Sequence, residues 1–217
     1  INITGTLNVL EAARAAGVRR VLLASSAAVY GNDPALPKVE TMLPRPASPY
    51  ALAKLTGEHM LSVYSALYGV EAVSLRYFNV YGPRQDPSSM YSGVISKFVD
   101  DLKNGREPTV FGDGEQTRDF VFVRDVVRAN LLAMASGDVG QGEVFNIATG
   151  RSVSLLDLLR ELGGIGGREL RPAFRETRPG DIRHSSASIE RAQNFLGYRP
   201  HSTLAEGLKD LLKVENA

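Results

Sequence analysis

Tyr50 and Lys54 stand four positions apart in SPYALAK, residues 48–54, a stretch that reads as the start of a helix. That spacing puts both side chains on one helical face, where a phenol and an ammonium can serve one site. A free tyrosine has a pKa of about 10, too high for an effective base at neutral pH. A neighbouring ammonium favours the phenolate, and a second cation such as an oxidised nicotinamide adds to the effect. A phenol tuned in this way can take the proton from a sugar hydroxyl while hydride leaves the same carbon. Alone the pattern is weak, because tyrosine and lysine fall at this spacing by chance in many helices. Ser25 and Ser26 add to it, ending the apolar run VLLASS. The carboxyl edge of a parallel sheet is where open α/β folds bind ligands. A serine hydroxyl at that edge can hold the reacting hydroxyl beside Tyr50.

Such groups need a helix and strands to place them. The chain opens in a helical rhythm, with Leu7, Leu10, Ala13 and Val18 on one stripe, and Gly17 is a candidate end signal. VRRVLLASS follows as a short buried strand, then a proline-rich loop to about residue 48. Pro49 at a first turn and Gly69 at the end bracket a long helix, and VEAVSLRYFNVYG is a second apolar strand. Strand, helix, strand in that order predict a right-handed crossover and a parallel sheet. Further on, a helix is expected near 91–104, strands at PTVFG, DFVFV and EVFNIATG, and helices over VRDVVRANLLAMA and SLLDLLREL. RPAFRETRPGD reads as an irregular basic loop before two last helical patterns, around 187–196 and 203–213. ELGGIGG follows a helix rather than a strand and lacks the G-x-G-x-x-G spacing, so it reads as a helix-ending loop, not a phosphate cradle.

Composition excludes several classes. The 217 residues carry 25 basic and 24 acidic side chains, a net charge of +1 that favours neither nucleic acid nor an anionic membrane. No run of about 18 apolar residues occurs, and the first residues lack the basic head and apolar block of a signal peptide. There is no cysteine, and His59, His184 and His201 lack ligand spacing. These facts point to a metal-free cytoplasmic protein with no nucleic-acid or membrane partner.

SSAAVYG, SPYALAK, LRYFNVYGPRQ, FGDGEQTRDFVFVRDVV, FNIATG and RPGDIRHS occur in that order. In these blocks, which span nearly the whole chain, it resembles the extended short-chain dehydrogenase/reductase family, specifically its nucleotide-sugar epimerases. The resemblance implies an α/β fold: part of a Rossmann-type doubly wound parallel sheet in residues 1–85, and a smaller α/β substrate domain in 86–217, with 119–150 partly returning to the sheet. It implies NAD as cofactor, a UDP-sugar as substrate, and a homodimer formed by the opening helix and the helix of Tyr50. Tyr50 would be the acid/base and Ser26 the active-site hydroxyl, while Lys54 would bind the nicotinamide ribose and lower the tyrosine pKa. Tyr77 and Phe78 would border the nicotinamide, and Asn2 would lie near the cofactor. Asn79 would contact the substrate diphosphate, Arg118 and Arg178 would clamp it, and Asp181 would contact the nucleotide ribose or orient the arginine loop. Val110 and Phe111 fall where the family holds uracil.

Two alanines narrow the reaction. Related 4,6-dehydratases place an Asp-Glu pair directly after their serine or threonine, and related decarboxylases carry a glutamate nearby. This chain has Ala27 and Ala28, which cannot move a proton. Oxidation at C4 and return of hydride to the opposite face, a 4-epimerisation, is the simplest reaction left. NVYGPRQDP and DIRHS resemble the subgroup that prefers N-acetylated UDP-hexosamines. Galactose-specific relatives carry a tyrosine at Ser185, where a serine leaves room for an acetamido group, so UDP-GlcNAc and UDP-GalNAc are the expected pair.

The family's glycine-rich G-x-x-G-x-x-G turn for the NAD pyrophosphate is not in these residues, so an N-terminal half is expected before Ile1. The alternatives are a truncated, inactive sugar-nucleotide-binding or interaction remnant, or a related NAD-dependent nucleotide-sugar reductase.

Overall fold

The computed structural model of the chain describes residues 1–89, 93–177 and 182–214. Helix α1 (Asn2–Ala15) leads into strand β1 (Arg20–Ser26) and a short 3-10 turn (Ala27–Tyr30). Helix α2 runs over Pro49–Tyr68. Its start is set locally: the Ser48 hydroxyl accepts the Ala51 N–H at 3.1 Å and proline occupies the first turn. Gly69, in the left-handed conformation, ends it.

The second apolar run divides. Strand β2 (Glu71–Tyr77) and strand β3 (Asn79–Tyr81) are separated at Phe78 and join different sheets. Helix α3 (Val94–Lys103), strand β4 (Thr109–Phe111), strand β5 (Thr117–Arg118), strand β6 (Phe120–Phe122) and helix α4 (Val123–Ala135) follow. After them come strand β7 (Gln141–Ile147), strand β8 (Val153–Ser154), helix α5 (Leu155–Gly166), strand β9 (Ala173–Arg175), and helices α6 (Glu190–Leu196) and α7 (Leu204–Val214).

The main sheet is parallel in the order β1–β2–β7, as the strand–helix–strand reading predicts. It is covered on both faces. Ala72 of β2 packs with Leu10 of α1 and with Leu61 and Tyr64 of α2. Val73 and Leu75 pack instead with Val126, Ala129 and Ala133 of α4 and with α6. Neighbouring strand residues point to opposite faces, so α2 and α4 lie on opposite sides of the sheet. A second core gathers Phe98 of α3, Val110 of β4, Leu158 and Leu162 of α5, and Leu208 of α7. Strand β6, paired in parallel with β3, joins the two cores by the same alternation: Val121 faces the first, Phe120 and Phe122 the second. The fold is α/β, a partial doubly wound sheet with a smaller α/β part beside it.

Two expectations change. The basic loop contains β9, which pairs in parallel with β4. The glycine stretch does not end α5 at Leu162: the helix runs on through Gly166 and Gly167 closes it. A side chain at Gly163 would meet the Arg168 carbonyl oxygen at 2.7 Å, and one at Gly166 would meet Leu102 of α3 at 2.7 Å. These glycines serve close packing, which helical periodicity cannot reveal.

Candidate active site

Strand β1 delivers Ser26 to the carboxyl end of the sheet, where its hydroxyl caps the following 3-10 turn by accepting the Ala28 N–H at 3.2 Å. The hydroxyl proton therefore points elsewhere. A cleft of about 360 Å³ opens there, and Ser26, Tyr77, Phe78, Asn79, Arg118 and Ser185 share its wall. They come from four separate segments of the chain. The side chains of Ala27 and Ala28 line it as well.

The polar groups of the wall are held by backbone partners. Asn79 donates its amide to the Asp119 carbonyl at 3.1 Å, and Arg118 donates to the Thr117 carbonyl at 2.9 Å. Asp119, fully buried, accepts the Thr149 N–H, the Thr149 hydroxyl and the Gly150 N–H. Burial pushes its carboxyl above the ordinary value, and those bonds pull against the shift. The Tyr77 hydroxyl donates to Asn130 Oδ1 at 2.9 Å, and the Tyr30 hydroxyl to Asn146 Oδ1 at 2.7 Å. Burial raises the pKa of both phenols, which keeps them neutral and unsuited to act as a base.

Tyr50 sits in the first turn of α2 and is 46% exposed. Lys54 Nζ lies 5.7 Å from the centre of its ring and donates to the Ala24 carbonyl at 2.8 Å, two residues before Ser26. Tyr50 and Lys54 stand beside the end of β1 rather than in the cleft wall.

Asn2 lies in the first turn of α1, and Val110 and Phe111 on β4, with Val110 buried in the second core; none of the three lines the cleft. Arg178 and Asp181 lie outside the described residues.

Residues 1–148 match the NAD dependent epimerase/dehydratase family. The chain belongs to that family. Over 96% of its length this family member is 44% identical to a UDP-glucose 4-epimerase of Mycolicibacterium smegmatis, and it spans 66% of that relative. Its fold superposes on a UDP-N-acetylglucosamine 4-epimerase from Methanobrevibacter ruminantium in complex with UDP-N-acetylmuramic acid, with a TM-score of 0.94 at 35% identity, covering 100% of this chain and 69% of the other. It superposes equally on a UDP-glucose 4-epimerase from Thermotoga maritima with UDP-glucose, with a TM-score of 0.93 at 41% identity, covering 99% and 69%.

The epimerase/dehydratase family takes NAD, and the residues present fit one end of it. The exposed Tyr50 hydroxyl and the Lys54 ammonium, which spends one donor on Ala24, offer hydrogen bonds suited to ribose hydroxyls beside the sheet edge. A glycine-rich turn for the pyrophosphate is not among these residues.

The sequence reading missed Lys38 and Tyr30, which also line this cleft, and it missed Glu58 and Arg76 beneath it. Lys38 gives no periodic signal in its proline-rich loop. Glu58 does give one, standing four residues after Lys54 on the same helical face.

Proposed function

We propose that the protein catalyses NAD-dependent 4-epimerisation of a UDP-hexose, with UDP-GlcNAc and UDP-GalNAc as the pair interconverted. One observation carries this reading: Ser26, Asn79, Arg118 and Ser185 meet in one cleft where β1 ends, and α2 grips that strand end through Lys54. NAD, when bound, would supply the hydride acceptor and donor for the sugar C4. Tyr50 takes the proton from the C4 hydroxyl as the C4–H bond breaks. Ser26 hydrogen-bonds the same oxygen, and Lys54 holds the nicotinamide ribose. The 4-keto sugar would turn about its diphosphate linkage to present its opposite face, and Tyr50 would give the proton back to the C4 oxygen. Atoms and electrons balance over the cycle, and Ala27 and Ala28 supply no group for a dehydration. Arg118 and Asn79 hold the diphosphate, joined by Arg178.

The dimer proposed alongside is formed by α1 and α2. Ile3 and Leu7 are exposed on α1, and Leu52, Val63 and Leu67 form one exposed apolar stripe on α2.

The full-length protein incubated with UDP-GlcNAc should yield UDP-GalNAc by NMR, and Tyr50→Phe should lower kcat by about 100- to 10,000-fold. A product other than the C4 epimer sinks the proposal in favour of a reductase, and no turnover with UDP binding intact favours a binding remnant. A second reading, UDP-glucose and UDP-galactose, has the names of the mycobacterial and Thermotoga proteins in its favour.

A further inference from the structure

One row below the cleft, the main sheet carries a buried polar line. Ser25 of β1, Arg76 of β2 and Asn146 of β7 stand in register across the three strands and are 3%, 3% and 0% exposed. The next row, Ser26, Tyr77 and Ile147, contributes Ser26 and Tyr77 to the cleft wall. Glu58 of α2, 4% exposed, enters the polar line. Its carboxylate accepts Arg76 Nε–H at 2.9 Å, Arg76 Nη2–H at 2.7 Å and the Ser25 hydroxyl. The guanidinium lies 4.7 Å over the Tyr30 ring, and the Tyr30 hydroxyl reaches Asn146. Asn146 in turn donates to the carbonyls of Lys38 and Ser188 at 3.0 and 3.3 Å. One line of contacts thus runs from the helix of Tyr50, across all three strands, to the segment beside Ser185.

Enclosure this complete makes the ion pair a poor source of stability, because desolvating both charges offsets most of their attraction. Its distinctive property is geometric: a two-point guanidinium–carboxylate fork tolerates one arrangement. The helix needs such a fastening at this end. Before Leu61, the fully buried side chains of α2 are only Ala51 and Glu58, helped by half-buried Leu55. Lys54 and Glu58 grip successive residues of β1, the Ala24 carbonyl and the Ser25 hydroxyl. Tyr50 is the next residue back along that helical face, and Ser26 the next residue forward on the strand.

We propose that Glu58 and Arg76 are positioning residues: their buried pair, tied to Ser25, locks α2 against β1 in the register that aligns Tyr50 and Lys54 with Ser26. The proposal rests on the epimerase reading for its consequence in turnover, and on packing alone for its consequence in backbone order. Slipping α2 by one residue moves its side chains about 1.5 Å along the axis. Misplacement of about 1 Å at a reacting centre costs about 100-fold in rate.

The test uses the full-length NAD-loaded protein with Glu58→Gln, Arg76→Lys and Ser25→Ala. Glu58→Gln should lower kcat about 10- to 100-fold while KM and the Kd for UDP stay within about twofold. Arg76→Lys keeps the charge but loses the fork and should resemble Glu58→Gln rather than the wild type. Ser25→Ala, which leaves the ion pair whole, should lose about threefold to tenfold in kcat. Amide hydrogen exchange should quicken at residues 24–26 and 50–54 in Glu58→Gln while α5 is unchanged. Wild-type kcat per folded molecule in Glu58→Gln overturns the proposal, as does a rise in KM that accounts for the whole loss. Should Glu58→Gln fail to fold, unchanged kcat and exchange in Ser25→Ala and Arg76→Lys overturn it equally. A wild-type protein inactive on every UDP-hexose removes the functional reading instead, and unchanged exchange then still overturns the positioning role.

Discussion

At Ser185 the backbone is held and only the side chain is open to variation. Its N–H donates to the Thr117 carbonyl at 3.1 Å, and its own carbonyl accepts the Ser152 hydroxyl at 2.7 Å. A larger side chain there must project into the cleft that Ser185 lines. Ser185→Tyr should reduce kcat/KM for UDP-GlcNAc by about 10- to 100-fold and spare UDP-glucose, the range expected when a pocket gains or loses the room for a small group. Parallel assays on the two sugars check this, and equal loss on both removes Ser185 as the discriminating residue. The identity of Ser185 was legible because it sits in a recognisable block of sequence. Its tether to Thr117 was not, since that bond joins residues far apart in the chain and follows no local rule.

Among the elements, β1 is fastened at both ends by buried polar contacts. At its start Arg20, with a side chain only 3% exposed, donates to the carbonyls of Ala133, Ser136 and Val139 at 2.6, 2.7 and 2.7 Å, and to Met134 at 3.0 Å. These are carbonyls at and after the end of α4, which has no intrahelical partners for them, and a cation suits that end of a helix. Glu71 completes the set, accepting Arg20 Nε–H at 2.7 Å. Arg20→Met keeps the aliphatic stem but strands those acceptors, and should cost about 3 kcal/mol. Urea denaturation measures it, and a loss below about 1 kcal/mol would mean that water replaces the guanidinium. The strand itself was legible from its apolar run. Arginine there reads locally as a surface residue, and only the return of α4 across the sheet buries it.

For the whole molecule the decisive feature is that the cleft takes residues from the main sheet and from strands outside it. Ser26 and Tyr77 belong to the main sheet, whereas Arg118 lies on β5, paired with β8 at the head of α5. A ligand filling the cleft therefore holds the two parts together, and UDP at 100 times its Kd should stabilise the protein by about 2.7 kcal/mol. Thermal unfolding with and without UDP reads this out, and Arg118→Ala should abolish the shift. The proposed dimer makes its own prediction. Val63→Glu puts a charge in the exposed stripe of α2 and should convert dimer to monomer in sedimentation velocity, with the monomer's fold unchanged. A dimer that persists in Val63→Glu places the interface elsewhere.

Much of this protein follows from short-range spacing. The ends of α2 are written in Ser48, Pro49 and Gly69, the parallel crossover in strand–helix–strand order, and the helical face shared by Tyr50 and Lys54 in their spacing. Each of these depends on residues within a turn or two of one another. The break at Phe78, the strand β9 inside a basic loop, the helix running through Gly163, and the line from Glu58 through Arg76 to Asn146 depend on what arrives from elsewhere in the chain. A buried charge is tolerable only where its partner is delivered at hydrogen-bonding distance, and that delivery is a matter of strand register and helix packing. The sequence therefore determined which groups are candidates for the chemistry, and the tertiary structure decided which of them meet at one sheet edge, because that meeting depends on strand register and helix packing.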